Sequence, residues 1–277
     1  MTADIIPLEG RGRYFAARNI VMAIAGMLCV YLAGEWITRA GQPVGYQMVL
    51  AAAFVLGMIS TFSFSRLSEP PPGPIPYPKT PLAPVKIWQE VRSYPAFLAL
   101  AGTAALWNFS LNLAGPFFNI YMVEALSASP AFVGIASIVS SLAGMFAQKK
   151  SGELADRWGP RRVQLISGLL IPIMPIFWVF INQPWQTLPV NIVAGVLWAA
   201  YSLSSFNLLL VLTPAEQRAR YSAIYQVIVT VSLAAGAAVG GLMVENWGYP
   251  AIFIASGAGR LLAALLFASF VPAILKK

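Results

Sequence analysis

Residues Gly152–Arg162 read GELADRWGPRR, a charged run bounded by two apolar stretches, 131–148 and 163–181. Each stretch is long enough to cross most of a bilayer, for which a helix needs roughly 20 residues. The run is therefore expected as a tight, glycine-punctuated turn joining two buried helices, a device with few uses.

The remainder of the chain sets the context of that turn. Hydrophobic residues make up 58% of the 277, charged residues 10%, and the mean hydropathy is +0.70. A soluble domain carries about 25% charged residues, so the composition indicates an integral membrane protein. The apolar runs are continuous and lack the alternation that a barrel strand requires, which leaves helices as the spanning element. Eight spans are expected, at 20–37, 46–64, 96–123, 131–148, 163–181, 189–212, 221–243 and 249–272, in an all-α polytopic fold.

The formal charge of +8 gains meaning from its placement. Arg11, Arg13 and Arg18 precede the first span, and Arg66, Lys79, Lys86 and Arg92 follow the second. Lys149, Lys150, Arg157, Arg161 and Arg162 follow the fourth, Arg218 and Arg220 the sixth, and Lys276 and Lys277 end the chain. The alternate loops hold only Arg39. By the bias that keeps Lys and Arg on the cytoplasmic side, a cell (inner or plasma) membrane location is expected, with both termini cytoplasmic. The basic charge is topological, and no nucleic-acid partner is expected. The single cysteine, Cys29, has no partner within the chain and reads as a small core residue. Asp4 and Glu9 interrupt any basic n-region, so the first span is not read as a cleaved signal.

Internal similarity is visible. RGRY at Arg11–Tyr14 returns as RARY at Arg218–Tyr221, and Gly45–Tyr46 opens the second span as Gly248–Tyr249 opens the eighth. Spans one and two then correspond to spans seven and eight, and four helices equivalent to spans three to six are expected before Arg11. The domain reading is 1–66 as the last two helices of an N-terminal half, 67–95 as a cytoplasmic linker, and 96–277 as a C-terminal six-helix bundle. Residues 67–95 carry nine prolines, which favours extended polyproline geometry. Within the linker, Ile87, Trp88, Val91 and Tyr94 recur at helical spacing, as in a short helix on the membrane face or the solvated start of the third span.

The motif resembles the loop signature of the major facilitator superfamily, G-x-L-x-D-R-x-G-x-[RK]-[RK], which joins the second and third helices of each six-helix half. Gly152, Leu154, Asp156, Arg157, Gly159, Arg161 and Arg162 fall on signature positions, while Pro160 replaces a commonly basic one. RGRY and RARY are similar to the superfamily's loops between the fourth and fifth helices of each half, and GPFFNIYMVEAL to the opening helix of the second half. The resemblance covers the whole chain as helices five to twelve and implies an MFS-type bundle with a complete C-terminal half. It implies a secondary transporter that moves a small organic solute by alternating access. The alternative is a non-transporting remnant or regulatory membrane protein that retains part of the fold. The resemblance also implies a gating latch: Asp156 capping the helix that begins near Tyr14, and Arg157 or Arg161 pairing with Glu216.

A substrate cavity is read from polar residues on apolar helices. Asn108, Asn112, Gly115 and Asn119 recur at helical spacing in the third span, and Asn191, Gly195, Trp198, Ser202 and Ser205 in the sixth, with Tyr201 alongside. Gln226 and Thr230 share a face of the seventh span, and Ser137, Ser141, Gly144 and Gln148 one of the fourth. Amides in hydrocarbon are costly unless paired or wetted, so these stripes either line a cavity or bind neighbouring helices. Gly236 and Gly240 form a small-xxx-small pair expected to permit close packing. Arg260 stands about 16 Å along the helix from Tyr249, near mid-membrane. A structural pair or a snorkelling cation is favoured there over a substrate contact, because the twelfth helix of the superfamily is usually peripheral. The chain has no histidine, no cysteine pair and no acid near the middle of a span, so neither an enzyme, nor a metal, nor another cofactor is expected.

Overall fold

The structure is a computed structural model that describes residues 11–66, 92–213 and 217–272. Among these residues all regular structure is helical. The chain runs α1 (Arg11–Ala40), α2 (Val44–Ser65), α3 (Pro95–Ala114), α4 (Phe117–Glu124), α5 (Pro130–Trp158), α6 (Pro160–Leu170) and α7 (Ile173–Trp178). A single 3-10 turn (Pro184–Gln186) leads into α8 (Thr187–Leu212), and α9 (Arg218–Phe270) closes the order. The expected linker helix lies mostly in 67–91, outside the described residues.

Helix boundaries follow proline and glycine. Pro116 lacks an N–H and separates α3 from α4, although Gly115 and Pro116 keep helical dihedrals, so the expected third span survives as two abutting helices. Pro172 cuts the expected fifth span in the same way, into pieces of 11 and 6 residues. Within α9, Gly248 takes φ 74° and ψ 177°, outside any helix, and Pro250 sits in the first turn of the second leg.

Among the described residues, five helical stretches are long and apolar enough to cross a membrane: Val44–Ser65, Pro95–Glu124, Pro130–Trp158, Pro184–Leu212 and Arg220–Phe270. The count of eight crossings is therefore not reproduced. Two of the expected spans lie within the single run that bends at Gly248, the one cut at Pro172 leaves two short pieces, and α1, which holds the first expected span, is not among the five.

The chain divides into two bodies by backbone proximity. In the first, α1 and α2 form a hairpin joined by a tight turn with Gly41 at φ 74°. A side chain at Gly45 would press on the backbone of Ile37, and one at Gly34 on the carbonyl of Pro130. The Thr38 hydroxyl donates to Gly34 O at 2.8 Å and accepts from the Ala131 N–H at 3.3 Å, which ties the first turn of α5 to this hairpin. Arg39 pairs with Glu35 at 2.8 Å. Large apolar side chains point outward along α2, with Leu50 and Phe54 among them, as on a helix solvated by lipid. Cys29 is exposed on α1 rather than set in a core.

The second body is built on α3. Both legs of α9 pack against it: Gly236 and Gly240 bring the first leg onto the carbonyls of Phe109 and Leu113, and Gly259 brings the second leg onto Ser110. The Ser256 hydroxyl donates to Ser110 O at 2.5 Å, and the Asn112 amide to Leu233 O at 2.9 Å. One apolar cluster gathers Phe97, Leu100, Leu208, Tyr221, Phe267 and Val271, and a second centres on Trp107, Ile171, Ala263 and Ala264.

Candidate functional site

The charged motif is mostly helix. The α5 helix continues through Gly152–Trp158, and only Gly159 breaks it, at φ 82° and ψ 148°, before Pro160 begins α6. The expected eleven-residue turn is thus a one-residue corner. Gly152, Asp156 and Arg157 ride on the last turns of α5, and Arg161 and Arg162 on the first turn of α6. The corner works because a positive φ suits glycine and a proline at the first helical position gives up no hydrogen bond.

Arg161 is committed within its own body. Its Nε donates to Val271 O at 2.8 Å and its Nη2 to Ala268 O at 2.6 Å. These carbonyls end α9, where backbone oxygens lack helical partners and a cation is electrostatically favoured. Glu216 lies outside the described residues, as do the side chains of residues 11–20, so the expected pairing and capping are not described. Arg157 and Arg162 are exposed.

A cavity of about 230 Å³ lies inside the second body. Gly115, Phe118 and Asn119 border it from α3 and α4, Ser137 and Ser140 from α5, Trp178 from α7, Asn191 and Trp198 from α8, and Arg260 from α9. Its aromatic wall is braced: Phe118 meets Trp178 at 4.7 Å between ring centres and stacks on Phe253 at 5.0 Å. Close helix contact shapes one side, since a side chain at Gly195 would overlap the carbonyl of Ser140 and one at Gly144 would stand 3.1 Å from Gly195 O.

The expected cavity residues separate into four groups. Asn119 and Trp198 line this space. Asn108 donates to Ala104 O of its own helix at 2.8 Å, and Asn112 binds α9 as described above, so both amides are satisfied by backbone. Tyr201 stacks on Trp107 at 4.5 Å with 14° between planes and borders a separate void of only about 10 Å³, room for one water at most. Ser202, Gln226 and Thr230 are exposed and do not border the cavity. Ser140, Phe118 and Trp178 were not anticipated. Gly144 and Gly195, read as members of polar stripes, are the contact that brings α5 and α8 together.

Arg260 is 2% exposed. Its Nη2 donates to Ser256 Oγ at 2.8 Å and to Leu111 O at 3.3 Å, both neutral oxygens, and its buried Nε has no acceptor. Snorkelling is therefore not what this side chain does: it stays inside the bundle, against the cavity.

Continuous apolar helices with an outward apolar surface, around a partly open cavity that mixes polar and aromatic side chains, define a multi-pass helical membrane protein. Residues 103–276 match the family model described as Major Facilitator Superfamily, and the chain belongs to that family. Over 268 residues it is 24% identical to the purine ribonucleoside efflux pump NepI of Shigella dysenteriae serotype 1 (strain Sd197), a match covering 91% of this chain. The chain spans 60% of the length of that relative. Its fold is similar to the crystal structure of a bacterial homolog to the human lysosomal transporter Spinster, in an inward-facing and unoccupied conformation. The TM-score is 0.55 at 14% identity, covering 96% of this chain and 69% of the other.

Proposed function

We propose that the chain carries a small organic solute across the cell membrane by alternating access, as a secondary transporter with both termini cytoplasmic. The observation that carries this reading is the partly open cavity of about 230 Å³, lined by Gly115 and by residues of α4, α5, α7, α8 and α9 in a chain of the major facilitator family. Amides and hydroxyls at Asn119, Asn191, Ser137 and Ser140 can orient polar groups of a solute, and Phe118, Trp178 and Trp198 can face a ring. Purine ribonucleosides, named for the NepI relative, are the first solutes to try.

The motif at Gly152–Arg162 is assigned to gating at the inner surface. Asp156 supports this: it is an exposed carboxylate in the last turn of α5, where the helix dipole disfavours an acid, so helix stability alone does not account for it. The domain boundaries at 66 and 95 belong to the same reading.

The test is uptake of tritiated inosine, and of a panel of small organic solutes, into proteoliposomes containing the purified chain. Saturable, protein-dependent uptake of at least one solute supports transport. A folded, monodisperse protein that raises no flux above empty vesicles favours the non-transporting alternative.

A further inference from the structure

Among the described residues, no carboxylate pairs with the arginine at position 260. It is buried among α3 and α9, its two partners are uncharged oxygens, and its Nε is unpartnered. A guanidinium taken out of water is retained where an anion or a dense set of acceptors answers it. Among the described residues two acceptors meet a group with five N–H donors, and the side chain borders a space large enough to hold more than a single ion. With a water's share of liquid volume at about 30 Å³, the cavity matches a small organic molecule.

The rest of the wall narrows the chemistry. Trp178 and Trp198 line the cavity, Phe118 stacks on Phe253, and the polar side chains beside Arg260 in the lining are the neutral Asn119, Asn191, Ser137 and Ser140. Among the described residues no acid borders the cavity, so none of them repels a carboxylate there. We propose that this cavity is an anion-recognition site in which the Arg260 guanidinium pairs with the carboxylate of a small aryl acid whose ring lies against the tryptophans. A planar fork of N–H donors suits a carboxylate, and the low dielectric around it strengthens the pair. The site deepens the transport reading by naming its substrate class, yet binding at Arg260 stands or falls independently of flux.

The experiment measures equilibrium binding to the purified chain in detergent, at neutral pH, by quenching of tryptophan fluorescence. The probes are indole-free benzoate and its uncharged partner benzamide, with inosine as a neutral nucleoside. Benzoate is expected to bind at least about tenfold more tightly than benzamide, the size of one charge-assisted contact. Arg260→Met is expected to erase that preference and Arg260→Lys to keep part of it. Equal binding of acid and amide, no binding of benzoate, tighter binding of inosine than of benzoate, or a preference that survives in Arg260→Met each overturns the proposal. If Arg260→Met fails to fold, the comparison of probes on the unaltered chain decides. Acid-selective binding with no uptake in vesicles would overturn transport and leave the site. Uptake with no acid preference in binding would do the reverse.

Discussion

The guanidinium of Arg161, one residue past the start of α6, holds the carbonyl oxygen of Val271 at 2.8 Å, just beyond the end of α9. A second bond, to Ala268 O at 2.6 Å, makes the contact a fork that closes the last turn of the final helix. An arginine of the signature motif thereby has a structural task within the second body.

Arg161→Ala should lower stability by about 2 kcal/mol, because two carbonyls lose a charged donor. Arg161→Lys should recover only part of this, since a point charge cannot serve both oxygens with the same geometry. Thermal unfolding in detergent, with protease sensitivity of the C-terminal segment alongside, checks both variants.

Gly240→Leu should be among the most damaging substitutions in the chain. Any side chain there runs into the carbonyl of Leu113, and the backbone of α3 has no room to retreat while Asn112 holds Leu233 O at 2.9 Å. Overpacking of this kind costs ~1–3 kcal/mol, and more where backbone opposes it. The expected outcome is loss of the monodisperse peak in size-exclusion chromatography, whereas Gly102→Ala, with open space around it, should leave the peak unchanged.

Asn112→Leu removes one hydrogen bond between α3 and α9 and should cost about 1 kcal/mol, at the modest level typical of side-chain bonds between membrane helices. Asn108→Leu, whose amide bonds only its own helix at Ala104 O, should cost less. Paired thermal unfolding curves separate the two.

Asp156→Asn keeps the shape of the motif and removes its charge. Under the gating assignment it should change the transport rate and the balance of inward- and outward-open states, read by accessibility of single cysteines introduced at the two surfaces in a Cys29→Ser background. Unchanged rate and accessibility would remove Asp156 from the gate.

Much of the helical layout was legible because apolar runs, prolines and glycines carry it. The close approach of Gly236 and Gly240 to α3 followed from their four-residue spacing, and Gly248 already marked the boundary between the last two expected spans. What was hidden depends on backbone or on distant pairs. Arg161 answers main-chain oxygens, which leave no trace in side-chain identity. Residues 152–158 are charged enough to suggest a loop, yet helix geometry tolerates charge on an exposed face. The cavity draws one to four residues from each of several helices, so no single stripe announces it: Asn119 and Trp198 stand out in the sequence and border the space, whereas Phe118 and Trp178 look like ordinary packing residues until α4 and α7 bring them together.

Counterflow in proteoliposomes tests alternating access most directly. Vesicles holding the purified chain are loaded with excess unlabelled solute, chosen from those that bind, and diluted into a trace of the labelled form. A carrier that exposes one site to each side in turn should give a transient accumulation of label above equilibrium, absent from protein-free vesicles. Simple equilibration without an overshoot, or no entry at all by a folded protein, would contradict the account.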